Sequence, residues 1–415
     1  MLLQKKIFAF LFGTLWCLSA AAGNILKVCQ ACAYTTIEAA VKNAEKGDVV
    51  EVQEGYYKVQ RLEISVSIKL IGIGDVELDG EGEPILFLTA DSITIENLIL
   101  RNVFTSYIED KAAIRIIKSD YCEIRGNKLY DTFFAIYIEN SDFTIIENNY
   151  VQGDAKQEAS SGNAVHVWYS NYALIQGNTL LNHRDGIYLE FVENSKIMNN
   201  LSEGNIRYGL HFMFSHHDDY LDNKFINNGS GVAVMFSDHV NMFNNLFKDN
   251  WGDAAYGLLL KDIKDSKLEG NIFKRNTIAI QADNAMRIHM VNNDFIDNGW
   301  ALKIMGNCME NEVIENNFIS NSFMVSTNSS YNHNLFDNNC WSEYLGYDLD
   351  KDGIGDVPYR PVSLFSYTVT NNPPTLILMR STFIELLNAA EKVIPVITPE
   401  TLFDEHPKMK LILHD

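Results

Sequence analysis

The chain has 415 residues, 47% of them hydrophobic, and carries 33 Lys and Arg against 54 Asp and Glu, a formal charge of −21. This composition excludes a disordered chain and leaves apolar material for a large core. The acidic balance repels phosphate backbones, so nucleic acid is excluded as a general partner, while cation binding stays open.

Residues 1–22 read as a secretory signal peptide. Lys5 and Lys6 precede an apolar run from Ile7 to Leu18, and Ala20, Ala21 and Ala22 supply small residues for cleavage before Gly23. The run is too short for a membrane span, so a cleaved, periplasmic protein is expected. Of six cysteines, Cys17 leaves with the signal, and the odd remainder predicts at least one unpaired thiol within the monomer. Cys29 and Cys32 form a C-x-x-C near the mature start. It suits either a disulfide tying down the chain start or a soft metal.

Ile37, Ala40, Val41 and Ala44 have helical spacing and predict a helix that caps an open β-structure. Strands follow through Asp48-Val-Val-Glu-Val and Ile68-Lys-Leu-Ile-Gly. A repeat then takes over. Gly or Ala followed by alternating apolar residues recurs at Ala135, Ala164, Gly186, Gly209, Gly231, Gly257, Ala279 and Ala301. Asparagine recurs behind it at Asn148, Asn178, Asn200, Asn223, Asn245, Asn271, Asn293 and Asn316, mostly 22 or 23 residues apart. That period with two-residue alternation predicts an all-β fold, a right-handed parallel β-helix over residues 23–345. The asparagines read as amide ladders between coils. Longer intervals place insertions in one loop of the repeat. About ten coils, a rod on the order of 50 Å, are expected from the spacing of strands.

Strand alternation puts His211 and Met213 on one outward face, with Met235 one coil away and His166, Tyr188 and Glu190 beside them. Imidazole and thioether together suit Cu(I). An exposed apolar stripe or a partner surface explains the same pattern. A second group lies in the following turn: His216, His217, His239 and Met242, then Met286, His289, Met290 and Met309. His217 and His239 share one offset and are predicted to stack. Polysaccharide chemistry is the usual work of a β-helix, but His183-Arg184-Asp185 and Asp218-Asp219 are the only dense polar groups in the coils, and neither forms a known glycosidase motif.

Residues 346–372 form an Asp-rich loop region. Asp348, Asp350, Asp352 and Asp356 surround Gly353 as in the first half of an EF-hand, without its final Glu. The loop reads as a calcium-stabilised or a solvated acidic turn. Residues 373–415 form a C-terminal arm with a helical stretch from Leu376 to Lys392, then Pro395 and Pro399. Leu376, Met379, Phe383, Leu386 and Leu387 make an apolar stripe on it.

Several of these segments resemble the NosD family: Gly209-Leu-His-Phe-Met-Phe-Ser-His, Gly231-Val-Ala-Val-Met-Phe-Ser, Asp350-Lys-Asp-Gly-Ile-Gly-Asp-Val-Pro-Tyr-Arg-Pro, and the tail with Leu378-Met-Arg-Ser-Thr-Phe, Thr398-Pro-Glu and His406-Pro. The resemblance implies a periplasmic β-helix without catalysis that binds copper. It implies partnership with an ABC-type ATPase and permease, contact with the membrane through that permease only, and a copper chaperone upstream. The destination it implies is the catalytic copper–sulfide centre of nitrous oxide reductase. It identifies no ligands but favours the metal reading of the face with His211, Met213 and Met235. By position, His166, Glu190, His217 and His239 are further copper candidates; by the EF-hand likeness, Asp348, Asp350, Asp352 and Asp356 are calcium candidates; Cys29 and Cys32 are the least secure pair. A β-helical carbohydrate-binding or polysaccharide-modifying protein is the alternative.

Overall fold

The computed structural model describes residues 23–252, 255–329, 331–393 and 402–413. The expected signal peptide and the tail residues Pro395, Thr398 and Pro399 lie outside them. No helix among the described residues is long and apolar enough to cross a membrane.

The chain winds into a parallel β-solenoid of about 14 turns, not ten. Four early turns carry no ladder asparagine and so left no trace in the repeat. At about 4.8 Å per turn the rod is roughly 65 Å long. Each regular coil contributes to three stacks of parallel strands. In one coil these are Tyr208–Met213, Asp219–Leu221 and Lys224–Ile226; in the next, Ser230–Asp238, Asn241–Phe243 and Leu246–Lys248. The register between them is in step at each stack, Met213 against Met235, Tyr220 against Met242 and Phe225 against Phe247.

Short strands need sharp corners, and left-handed backbone supplies them. One coil bends at Phe214, His217, Asp222 and Asn227, with φ of 49, 58, 57 and 52°. The next repeats this at Phe236, His239, Asn244 and Asp249. Non-glycine residues in this region are strained by roughly 1–2 kcal/mol each, so something must offset the cost. Buried ladders do so. From Asn127 through Asn149, Asn178 and Asn200 to Asn339, each asparagine Oδ1 accepts both the backbone N–H and the side-chain N–H of the asparagine one coil earlier, at 2.9–3.1 Å. The residue in the ladder is Asn149, not Asn148, which is the left-handed corner before it with φ 55°. A second ladder runs from Asn205 to Asn321. Between them the rings of Phe225, Phe247, Phe273, Phe295, Phe318 and Trp341 stack through the core.

The Gly or Ala that opens the first strand of each coil faces this second ladder. A Cβ on Gly209 would lie 2.7 Å from the Gly231 carbonyl and 2.8 Å from the Asn228 amide. The insertions 104–111 and 153–163 leave at the same corner, and Thr105 Oγ1 donates to the Ser160 carbonyl at 2.9 Å to join them.

Both ends are closed. Thr36 caps the helix Ile37–Asn43 by accepting the Ala39 N–H, and Ile37, Ala40 and Val41 are buried over the first coil. The Cys29 and Cys32 sulfurs are bonded to each other beside it. Cys122, Cys308 and Cys340 are buried thiols without a disulfide partner among the described residues. At the far end, helix Leu364–Asn371 seats Phe365 and Val369 against Phe323, and Ile384 of helix Thr382–Val393 joins that cluster with Met379 and Leu387 against it. The predicted stripe is thus divided: Leu376, Phe383 and Leu386 point to solvent. Residues 402–413 then return to the rod. Asp404 takes the next place in the asparagine ladder, its Oδ2 accepting the Asn339 N–H, the Asn339 amide and the Trp341 indole N–H at 3.0, 3.0 and 2.8 Å.

Candidate metal-binding face

The first strand stack presents two outward columns. Tyr137, His166, Tyr188 and His211 lie in one, and Glu139, Trp168, Glu190, Met213 and Met235 in the other. Inward neighbours Ile187, Leu189, Leu210, Phe212, Val232 and Val234 are fully buried, so core packing fixes which side chains point out. Met213 is flanked by Glu190 on one coil and Met235 on the other. Both methionines are half-buried, a surface accessible to a partner.

His211 sits differently from expectation. It points away from the core yet is only 6% exposed. Asp185, fully buried, binds Arg207 through both carboxylate oxygens, Nε to Oδ1 at 2.8 Å. Arg207 also contacts His211 Nδ1 at 3.2 Å. Arginine only donates, so Nδ1 accepts and the proton of the neutral ring lies on Nε2. That Nε2 is buried and has no hydrogen-bond partner among the described residues. Burial pulls the His211 pKa down to about 4; Asp185 opposes the shift, and Arg207 and Arg184 add to it. Proton competition for the Nδ1 lone pair therefore moves well below the free value of about 6.5.

His166 lies between the rings of Tyr137 and Tyr188, with centroids 4.3 and 4.6 Å away. Its Nδ1 is 3.0 Å from the Asn163 amide, and burial lowers its pKa to about 3. It is built into an aromatic column instead of standing free. Met242 and Met290 are fully buried in the core, which removes them from the turn group. His289 pairs with Glu312 at 2.8 Å.

At the first corner of the same two coils, the His217 and His239 rings stack 4.6 Å apart. One donor atom of each lies within 4.8 Å of the other and of an Asp238 carboxylate oxygen. Asp238 is a donor beyond those expected from the sequence. The aligned tetrapeptides Phe214-Ser215-His216-His217 and Phe236-Ser237-Asp238-His239 carried the signal, because equal offsets share a corner.

Asp348, Asp350 and Asp352 also converge within 4.8 Å, while Asp356 Oδ2 accepts the Leu349 N–H at 2.8 Å. Desolvation raises Asp348, but the N–H groups of Gly353 and Lys351 and the neighbouring hydrogen bonds together hold it below the usual carboxylate range. Asp350 is pushed up: the Asp352 N–H lowers it, but repulsion from the Asp352 carboxylate and the remaining influences outweigh that bond. The sulfurs of Cys29 and Cys32, joined to each other, offer no thiolate in this state. The two dense polar groups of the coils likewise offer no exposed pair of acids, since Asp185 and Asp218 are fully buried.

A parallel β-solenoid with its ends closed and polar ladders inside defines the structural class. Residues 148–346 match the family described as periplasmic copper-binding protein (NosD), and residues 24–233 match one described as a protein of unknown function. A probable ABC transporter binding protein NosD of Pseudomonas aeruginosa is 30% identical over 355 residues, 81% of this chain and 82% of its own. A protein of the same description from Stutzerimonas stutzeri is 40% identical over 73 residues, 18% of this chain and 17% of its own. The chain belongs to the NosD family.

Among solved structures, the catalytic domain of a family 87 α-1,3-glucanase with bound tetrasaccharides superposes with a TM-score of 0.52 at 10% identity, over 76% of this chain and 66% of that one. DFA-IIIase of Arthrobacter chlorophenolicus, without its lid, gives 0.52 at 11%, over 71% and 94%. These likenesses show the fold alone.

Proposed function

We propose that this chain is a periplasmic accessory protein that takes Cu(I) as cargo on the outward face of its central coils. With an ABC-type ATPase and permease it delivers the metal to the catalytic copper–sulfide centre of nitrous oxide reductase, and a copper chaperone supplies it. Residues 1–22 are its cleaved signal. The observation that carries the reading is the register of Met213 against Met235 on a half-buried outward column, in a family described as copper-binding. Two thioethers and an imidazole make a soft, low-coordinate set that suits Cu(I). His211 supplies the third donor when Arg207, already held by Asp185, yields its Nδ1 contact. Glu190 lies beside Met213 to balance charge, and His166 orients the column behind it.

The arm presents Ile377, Phe383 and Leu386 to solvent, and this face meets the permease. The Asp348, Asp350 and Asp352 carboxylates take one calcium ion after the last coil, with Asp356 holding the loop.

Replacing Met213 and Met235 together by Leu keeps volume nearly constant and costs under about 1.5 kcal/mol per site. Cu(I) competition with a chromophoric chelator should then show retention lost in a folded protein. Reductase matured beside this variant should lack its catalytic copper. Wild-type Cu(I) affinity in the double variant would place the ligands elsewhere.

A further inference from the structure

The two coils that carry the methionine pair have a second set of donors four residues on. His217 follows Met213 and His239 follows Met235 around the same corner. We infer that His217, Asp238 and His239 form a separate site for a borderline divalent ion, Cu(II) or Zn(II). This inference stands independently of the Cu(I) reading.

The backbone brings the three together. His217 and His239 are both left-handed corner residues, with φ of 58 and 54°. The His217 N–H donates to the Asp238 carbonyl at 3.1 Å, stacking one corner on the other, and His216 bridges Asp238 in parallel register. With the backbone fixed, equal offsets hold the two imidazoles face to face. Asp238 Oδ1 lies 2.8 Å from His239 Nδ1, and the Asp238 N–H donates to His216 Nδ1 at 3.2 Å. A carboxylate on one imidazole nitrogen fixes the ring and raises the basicity of the other, the usual arrangement behind a metal-bound histidine.

Donor atoms bound to one metal at about 2 Å each must lie about 3 Å apart. The present separations of up to 4.8 Å need only a small side-chain rotation. The histidine side chains are exposed, so the rotation gives up the stacking of the two rings and disturbs no buried packing. The neighbours in the same corner column do not compete: Asn194 carries no charge, and Asp265 is held by Arg287 in two bonds of 2.6 and 2.9 Å. Asp238 Oδ1 sits on His239 Nδ1, and its Oδ2 lies 3.2 Å from His216 Nδ1 and 3.9 Å from Lys264; the carboxylate reaches the ion by exchanging one of these contacts for the metal. Two imidazoles and a carboxylate without sulfur select Cu(II) and Zn(II), and bind Cu(I) poorly. Three protein donors on an exposed corner leave a position for water or for a donor from a partner. The Cα atoms of Met213 and His217, four residues apart, are at most about 14 Å from each other, so two adjacent coils carry sites for two classes of metal ion.

The test uses the full mature chain with Cu(II) alone, read by electron paramagnetic resonance, and Zn(II) alone, read by calorimetry. The double variant His217→Asn/His239→Asn is chosen because asparagine accepts the left-handed corner, as Asn194 does in the same column (φ 56°). Wild type should bind Cu(II) with hyperfine structure from two imidazole nitrogens. The double variant should lose that signal and bind Zn(II) more than about 100-fold more weakly, since changes behind a ligand alone cost 10–100-fold. Its Cu(I) retention should not change. The Met213→Leu/Met235→Leu variant should keep the Cu(II) signal. An unchanged Cu(II) spectrum in the histidine variant, or its loss in the methionine variant, overturns the separate site.

Discussion

At the scale of single residues, asparagine has two opposed jobs in this fold. Where two stand together, as at Asn148-Asn149, Asn199-Asn200 and Asn244-Asn245, the first takes the left-handed corner and the second is buried in the ladder. The recurrence of asparagine was legible in the sequence; which of a pair enters the core was not, because the difference is one of backbone conformation. Asn223 donates to the Ile197 carbonyl and to Asn245 Oδ1 and accepts from Asn200. Asn223→Leu leaves buried donors unmet and should cost about 2–4 kcal/mol, seen as a lower urea midpoint. Asn227→Gly, at a corner, should change stability by under about 1 kcal/mol. Equal effects would contradict the division of roles. His183 offers a pH test. It is buried at the head of the second ladder, and burial lowers its pKa to about 4, against a weaker opposing bond from the Gly162 backbone. The unfolded chain binds this proton below about 6.5 and the folded one only below about 4, so stability falls as pH drops through that window, by at most about 1.4 kcal/mol per pH unit. His183→Asn should make the fall of the urea midpoint shallower there, with His166 and His211 supplying the remainder; an unaltered profile would assign the acid sensitivity to other groups.

At the scale of elements, the capping helix and the outward alternation of His211 and Met213 were legible because periodicity alone specifies them. The burial of His211 was not. It depends on Arg207 and on Asp185 from the preceding coil, a contact that spans 22 residues and has no local pattern. The return of residues 402–413 was equally hidden, since one aspartate in a tail says nothing about a ladder 65 residues earlier. Asp404→Ala removes the acceptor for Asn339 and Trp341 and should destabilise the last coil by about 2–4 kcal/mol. The tail should then become a site of early proteolysis; wild-type resistance would mean that the ladder ends at Asn339. Because the tail closes the rod, removing the whole arm confuses folding with partner contact. Phe383→Ser with Leu386→Ser, on the exposed face, tests the permease contact cleanly: transporter co-purification should fall while the melting temperature holds. Undiminished co-purification would refute that contact. For the Asp-rich loop, chelator should lower the melting temperature, and Asp350→Ala should abolish that response. Identical curves with and without chelator would argue against calcium.

At the scale of the molecule, the solenoid is a ruler. Stacked coils turn a 22-residue offset into a fixed lateral neighbour, which is how residues remote in sequence form one face. The same stacking explains why the fold was easier to read than the site: core and ladder repeat in coil after coil, whereas methionine meets methionine across coils at Met213–Met235 and Met286–Met309, without a period. The central claim is that copper is held by thioether sulfur on that face. X-ray absorption at the copper edge of the mature chain loaded with one equivalent of Cu(I) tests it most directly. The account predicts a low-coordinate shell containing sulfur and one imidazole nitrogen, with the sulfur lost in Met213→Leu/Met235→Leu; a nitrogen-only shell in the wild-type protein would contradict it.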